Sequence, residues 1–148
     1  MATTPSPGKS FKAHPNLGGS LEYGGESLIP VDVGSISATT SFSAFSTSGS
    51  RYDVLGFSIV DQSGFAAHGS NYWKFDLQDA GAAGSGTTSL FKSIPSTEAI
   101  LTGKVPRDHS CDQNNKGLKY GLQLVVTKVG SPSALASAKV FVRVRHKL

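Results

Sequence analysis

Between Arg51 and Leu77 side chains alternate with a period of two on either side of a small-residue segment, ending in the run Asn71-Tyr72-Trp73-Lys74-Phe75-Asp76-Leu77. Trp73, Phe75 and Leu77 fall on one side, and Tyr72, Lys74 and Asp76 on the other. Upstream, Leu55, Phe57 and Ile59 alternate with Gly56 and Ser58. A period of two belongs to strands with one buried and one wet face. The small-residue segment Gly64 to Ser70 reads as the connection between two such strands.

The same grammar runs through the rest of the chain. Leu21 to Tyr23 and Leu28 to Val33 flank a turn-like Gly24-Gly25, and Pro30, which cannot donate to a ladder, places its strand at an edge or a bulge. Ile36 to Phe45 reads as a further strand, Thr87 to Lys92 and Ala99 to Val105 as weaker ones. Asp79 to Gly86 and Pro106 to Lys116 read as loops. Leu118 to Val129 sets Leu122, Leu124 and Val126 on one face, and Lys139 to Lys147 sets Val140, Val142 and Val144 inward. No window has helical periodicity. The fold class expected is therefore all-β: one β-sandwich of about eight strands, jelly-roll or immunoglobulin-like, spanning residues 20–148. Its expected core contains Leu55, Phe57, Trp73, Phe75, Leu77, Leu124, Val126, Val142 and Val144.

Residues 1–19 differ in composition. Pro5, Pro7 and Pro15 forbid regular helix, Gly8, Gly18 and Gly19 loosen the backbone, and Phe11 stands between Lys9 and Lys12. This is an extended N-terminal arm whose candidate partner-binding residues are Lys9, Phe11 and Lys12. Met1 to Leu17 contains no apolar core of a secretory signal, and no stretch is apolar enough for a membrane-spanning helix. Only 16% of the residues are charged, with a net charge of +4. That balance argues against a nucleic-acid partner, and the lack of a long apolar segment against a membrane one.

Chemical motifs are few. Gly81-Ala82-Ala83-Gly84-Ser85-Gly86-Thr87-Thr88 has the glycine spacing of a phosphate loop, but Thr87 stands where that loop needs lysine. Asp108-His109-Ser110-Cys111-Asp112 crowds reactive types together. Neighbours on a strand point apart, however, and the lone Cys111 cannot build a zinc site, so a solvated loop is expected there. His14, His68 and His146 are scattered, and Glu22, Glu26 and Glu98 form no acid/base pair. No catalytic residue, metal ligand or cofactor is implied. Arg143 and Arg145 share a face with Lys147 and are candidate partner-binding residues, able to meet an acidic surface; the alternative is a solvated sheet edge.

From Arg51 onward the chain resembles the capsid cement (decoration) and small head proteins of tailed bacteriophages. The resemblance rests on Gly56-Phe57-Ser58-Ile59-Val60, Asn71 to Leu77, Gly84 to Thr88, Leu124 to Gly130 and Val140 to Val144. It implies a structural virion protein and not an enzyme, made in the host cytoplasm and bound to the capsid exterior. The implied partners are the major capsid protein and further copies of itself, as a trimer rather than a dimer. The competing expectation is a carbohydrate-binding or adhesin module, since sandwiches with exposed aromatics often bind glycans.

Overall fold

The computed structural model describes residues 23–45, 51–97, 101–112 and 115–147. These form ten strands and no helix: β1 (Tyr23–Ile36), β2 (Thr40–Phe45), β3 (Tyr52–Val60), β4 (Gly64–Phe65), β5 (Tyr72–Asp79), β6 (Thr88–Ser89), β7 (Leu101–Thr102), β8 (Arg107–Ser110), β9 (Leu122–Val129) and β10 (Leu135–Lys147). Two four-stranded antiparallel sheets make the sandwich. The first, sheet A, has the order β1-β10-β3-β8, and the second, sheet B, β2-β9-β5-β6; β4 and β7 pair separately. The pairs β1·β10, β2·β9, β3·β8 and β5·β6 nest like a long hairpin folded on itself. The β10·β3 and β5·β9 ladders then close the two sheets. This interleaving is the jelly-roll form of the sandwich.

The core forms where the inward sets of the two sheets meet. Sheet B contributes Trp73, Phe75, Leu77, Leu122, Leu124 and Val126; sheet A contributes Val31, Val33, Ile59, Val140, Val142 and Val144. Phe57 packs edge-on against Phe91, with ring centroids 5.3 Å apart. Eight of the nine residues expected in the core are buried. Leu55 is the exception, because β3 carries a bulge. Arg143 pairs with Gly56 while Val144 pairs with Val54, so Leu55 has no partner opposite it. The extra residue switches the inward set from Tyr52 and Val54 to Phe57 and Ile59 and leaves Leu55 half-exposed.

Three other readings are corrected. Gly24-Gly25 lies within β1 at a register shift between Tyr23 and Glu26, so the pair makes a bulge in one continuous strand and not a turn. The connection after β3 contains the short strand β4. The segment 106–116, read as a loop, contributes β8, which pairs with β3 from Gly56↔Ser110 to Ile59↔Arg107. Pro30 sits on β1, an edge strand of sheet A, where its missing N–H costs no ladder bond.

Candidate interaction surfaces

Arg143 and Arg145 project from the outer face of β10. The alternative reading of a solvated edge fails, since β10 lies between β1 and β3. Neither arginine is free. Arg145 Nη2 meets Glu26 Oε2 at 3.1 Å across the β1·β10 ladder, an exposed pair worth at most about 1 kcal/mol. Arg143 lies flat over Gly56 and donates from Nη2 to the His109 carbonyl at 3.1 Å, while its buried Nε has no partner among the described residues. Gly56 permits this arrangement with φ of 153°. A Cβ there would come within 2.8 Å of Arg143 Nη2 and 2.9 Å of Ser110 Cα, and closer still to the His109 carbonyl oxygen. Leu28, 62% exposed, and Arg143 bound a shallow hollow on this face together with Glu26 and Ser27. Lys9, Phe11 and Lys12 lie outside the described residues.

The reactive cluster 108–112 is divided by its strand. His109 faces inward beside Phe57, with ring centroids 5.5 Å apart, and its buried Nε2 has no partner among the described residues. Burial, and then Arg107, hold its imidazole below the ordinary histidine range against the opposing pull of Asp108. Asp108 faces the other way and accepts from the Ser58 hydroxyl. Burial, reinforced by Asp112, pushes the Cys111 thiol up to about 12, the reverse of what a nucleophile needs. Asp112 is engaged by the Lys92 backbone amide. No three His, Cys, Asp or Glu side chains among the described residues converge as a metal site.

Two features escape sequence reasoning. Asp61 is fully buried at the close of β3. Its Oδ2 accepts from the backbone amides of Ser63 and Gly64, both at 3.0 Å, and its Oδ1 from those of Ala136 at 3.2 Å and Ser137 at 3.4 Å. One carboxylate thereby ties the β3–β4 turn to the start of β10. The Asp-x-Ser-Gly spelling of the turn is the only local signal, and the far pair of amides leaves none.

The second feature is the outer edge of β8, beyond which no described strand pairs with it. The His109 carbonyl and the Cys111 amide both turn toward β3, the latter donating to the Leu55 carbonyl at 3.1 Å. Amide and carbonyl directions alternate along a strand, so those of Asp108 and Ser110 point away from the sheet. Beside that edge the sandwich is open, because the opposing strand β6 is only two residues long. Segment 95–97 continues sheet B instead: the Phe75 amide donates to the Pro95 carbonyl, and the Thr97 amide to the Trp73 carbonyl, each at 2.9 Å. Between this segment and β8 runs a groove of about 310 Å3, lined by Phe91, Ile94, Pro95, Arg107, His109 and Ser110 among others. Ile94 and Val105 are among the exposed large apolar residues of the chain, 36% and 50% accessible.

At the opposite side, the outer face of sheet B presents Ser41, Ser43, Gln123, Val125 and Thr127 around half-buried Tyr72 and Lys74. A smaller hollow among Phe65, His68, Asn71 and Pro132 lies at the loop end of the sandwich. Two of its acceptors are engaged within the chain: His68 Nδ1 accepts from the Asn71 amide at 3.1 Å, and Asn71 Oδ1 from the Ser131 amide at 2.8 Å.

The fold and these surfaces define a jelly-roll β-sandwich with an open strand edge. No protein-family model matches the chain. No curated protein matches it either. Among solved structures, one described as the structure of the infectious bursal disease virus Gx strain is similar to it, with a TM-score of 0.36 and 8% sequence identity. The similarity covers 85% of this chain and 32% of that one, so this chain spans about a third of the length of the one it matches.

Proposed function

We propose that the protein is a structural virion component, a cement protein that binds the outer surface of a phage head and stabilises it. The outer edge of β8, beside a groove that the described residues leave open, carries this reading. A sandwich whose backbone donors and acceptors are left facing outward can take up an extended segment by strand addition. The reactive side chains point the same way. Cys111 is held as the thiol, His109 is turned into the core edge, and Asp112 accepts from a backbone amide, which supports a groove that serves contact. Low charge suits a surface that becomes covered by a partner. Individually weak contacts would suffice, because copies arrayed on a lattice gain retention through effective concentration. A ligand of the assembled head that does not bind its free subunits also stabilises the head by mass action.

The experiment is co-sedimentation of the purified protein with assembled heads and, separately, with unassembled capsid subunits. Retention on heads, and a rise in the temperature at which they disrupt, is expected. A protein that leaves heads unbound and unstabilised, yet is retarded on immobilised polysaccharide, would replace this reading with the glycan-binding one.

A further inference from the structure

We infer that β8 is an acid-operated latch: protonation of His109 releases β8 from β3, so that the sandwich presents the edge of β8 in a neutral medium and the edge of β3 in an acid one. The latch is a property of the sandwich itself and does not rest on the cement function proposed above.

Strand β8 is short and held from one side. It has four residues, and among the described strands it pairs only with β3. Its inward side chain is His109, whose ring lies beside Phe57 with centroids 5.5 Å apart. Phe57 in turn meets Phe91 edge-on, so the imidazole covers the rim of an aromatic cluster. His109 Nε2 is sealed from solvent and has no hydrogen-bond partner among the described residues. A neutral ring tolerates that position. An imidazolium would have to carry charge there with neither water nor an acceptor at Nε2.

The charges around the ring reinforce this. On its own strand Arg107 opposes a positive ring and Asp108 favours one, the arginine being the stronger influence. From β10, Arg143 brings its guanidinium to the His109 carbonyl at 3.1 Å. Across the groove, segment 91–97 carries Lys92, a further cation. The nearby carboxylates already accept from other donors: Asp108 from the Ser58 hydroxyl, Asp112 from the Lys92 amide, and Asp76 on β5 from Ser89 and Gln78. Cys111 is held as the uncharged thiol. Burial first, and then Arg107, keep the docked ring neutral to lower pH than a histidine in open chain, which titrates near 6.5. The docked state therefore binds the proton more weakly than the released one. Its hold is complete above the ordinary value and is lost as pH falls below it.

Bonds on either side confine the opening to β8. Upstream, Lys104 follows Gly103 with φ of 64°, and its amide donates to the Asp61 carbonyl at 2.7 Å. Downstream, the Asp112 amide donates to the Leu90 carbonyl at 3.2 Å. Residues between these two bonds can leave the sheet while β10 still pairs with the other side of β3.

The test is amide hydrogen exchange of the purified full-length protein, read residue by residue by NMR at about pH 7 and about pH 5. The His109 amide faces β3, by alternation from the Cys111 amide that donates to Leu55. A released ring titrates at 6.5, so this change of pH favours release by at most about 25-fold. The protection of the His109 amide should fall by about 5- to 25-fold, and that of the Lys104 and Leu124 amides by less than about twofold. The fall should vanish in His109→Phe, which keeps a ring against Phe57 but takes up no proton, and in His109→Gln. No fall in the unaltered protein, or the same fall in either variant, would overturn the latch. An equal fall at Leu124, in the middle of β9, would mean acid unfolding of the whole sandwich and would overturn it too. The ring gives a reading that needs no variant: its NMR titration midpoint should lie below 6.5, and a midpoint at or above that value would refute the mechanism.

Discussion

Replacing Gly56 by alanine tests whether the β3 bulge sets the register of sheet A. The residue has φ of 153°, a region essentially reserved for glycine, and a side chain there costs about 1–3 kcal/mol in backbone strain. The new methyl would also press on the His109 carbonyl, Ser110 Cα and Arg143 Nη2. Two of these belong to the β8 backbone, which cannot swing aside like a flexible side chain. Overpacking of this kind costs about 1–3 kcal/mol more. The sum, roughly 2–6 kcal/mol, is a large share of the 5–15 kcal/mol typical of a whole domain. With a urea slope of about 2 kcal/mol/M, the unfolding midpoint should fall by about 1–3 M. Gly25→Ala is the control: nothing lies within 4 Å of where its added methyl would sit, and its φ lies outside the left-handed region. Since alanine is better than glycine within a strand by about 0.5–1 kcal/mol, that variant should be neutral or slightly more stable. Urea unfolding followed by Trp73 fluorescence reads both. A Gly56→Ala midpoint indistinguishable from that of Gly25→Ala would refute the bulge as the determinant of the register.

Phe75→Ala, which empties a fully buried site beside Val126 in the core, should cost roughly 3–5 kcal/mol in the same assay. Asp61→Ala strands four backbone donors, some of which water can reach, and should lower stability by roughly 2–4 kcal/mol at about 1–3 kcal/mol per buried donor. Alkaline pH should destabilise the fold in two stages. Burial raises both the Cys111 thiol, from 9.0 to about 12, and the Tyr52 phenol, from 10.0 upward, so the unfolded chain releases these protons first. Stability should hold below pH 9 and fall above it; urea midpoints measured from pH 8 to 11 would show the first stage vanish in Cys111→Ala. The same raised thiol should react with iodoacetamide at pH 8 at least about a hundredfold more slowly than a free cysteine, as mass spectrometry over time would record.

The alternation of single strands is legible because burying one face of a sheet demands it, whatever the partner strand turns out to be. Tyr72 to Asp79 and Val140 to Val144 can therefore be assigned to strands and to faces, and with them the two-layer core. The limits of that reading are physical. A bulge inserts one residue without changing composition, so nothing local distinguishes Leu55, left half-exposed, from Val54, which is buried. Strand β8 is invisible to it because Arg107, Asp108, His109 and Ser110 offer no apolar period. It is held in place from outside, by its ladder with β3, by Arg143 reaching the His109 carbonyl, and by the His109 ring beside Phe57. Asp61 likewise acquires its role only when residues 136 and 137 arrive from the far end of the chain.

The sequence by itself determined that this chain makes strands, which side chains of most strands turn inward, and that Cys111 has no cysteine partner within the chain. Tertiary structure alone decided the nesting of strands into a jelly roll, the burial that disarms Cys111, and the opening between β8 and segment 91–97. The reason is the range of the forces involved. Alternation is enforced by each strand against the solvent, residue by residue. Strand order, edges and grooves come from pairings between segments distant in the chain, such as β1 with β10, and no local run of residues records which pairing will win.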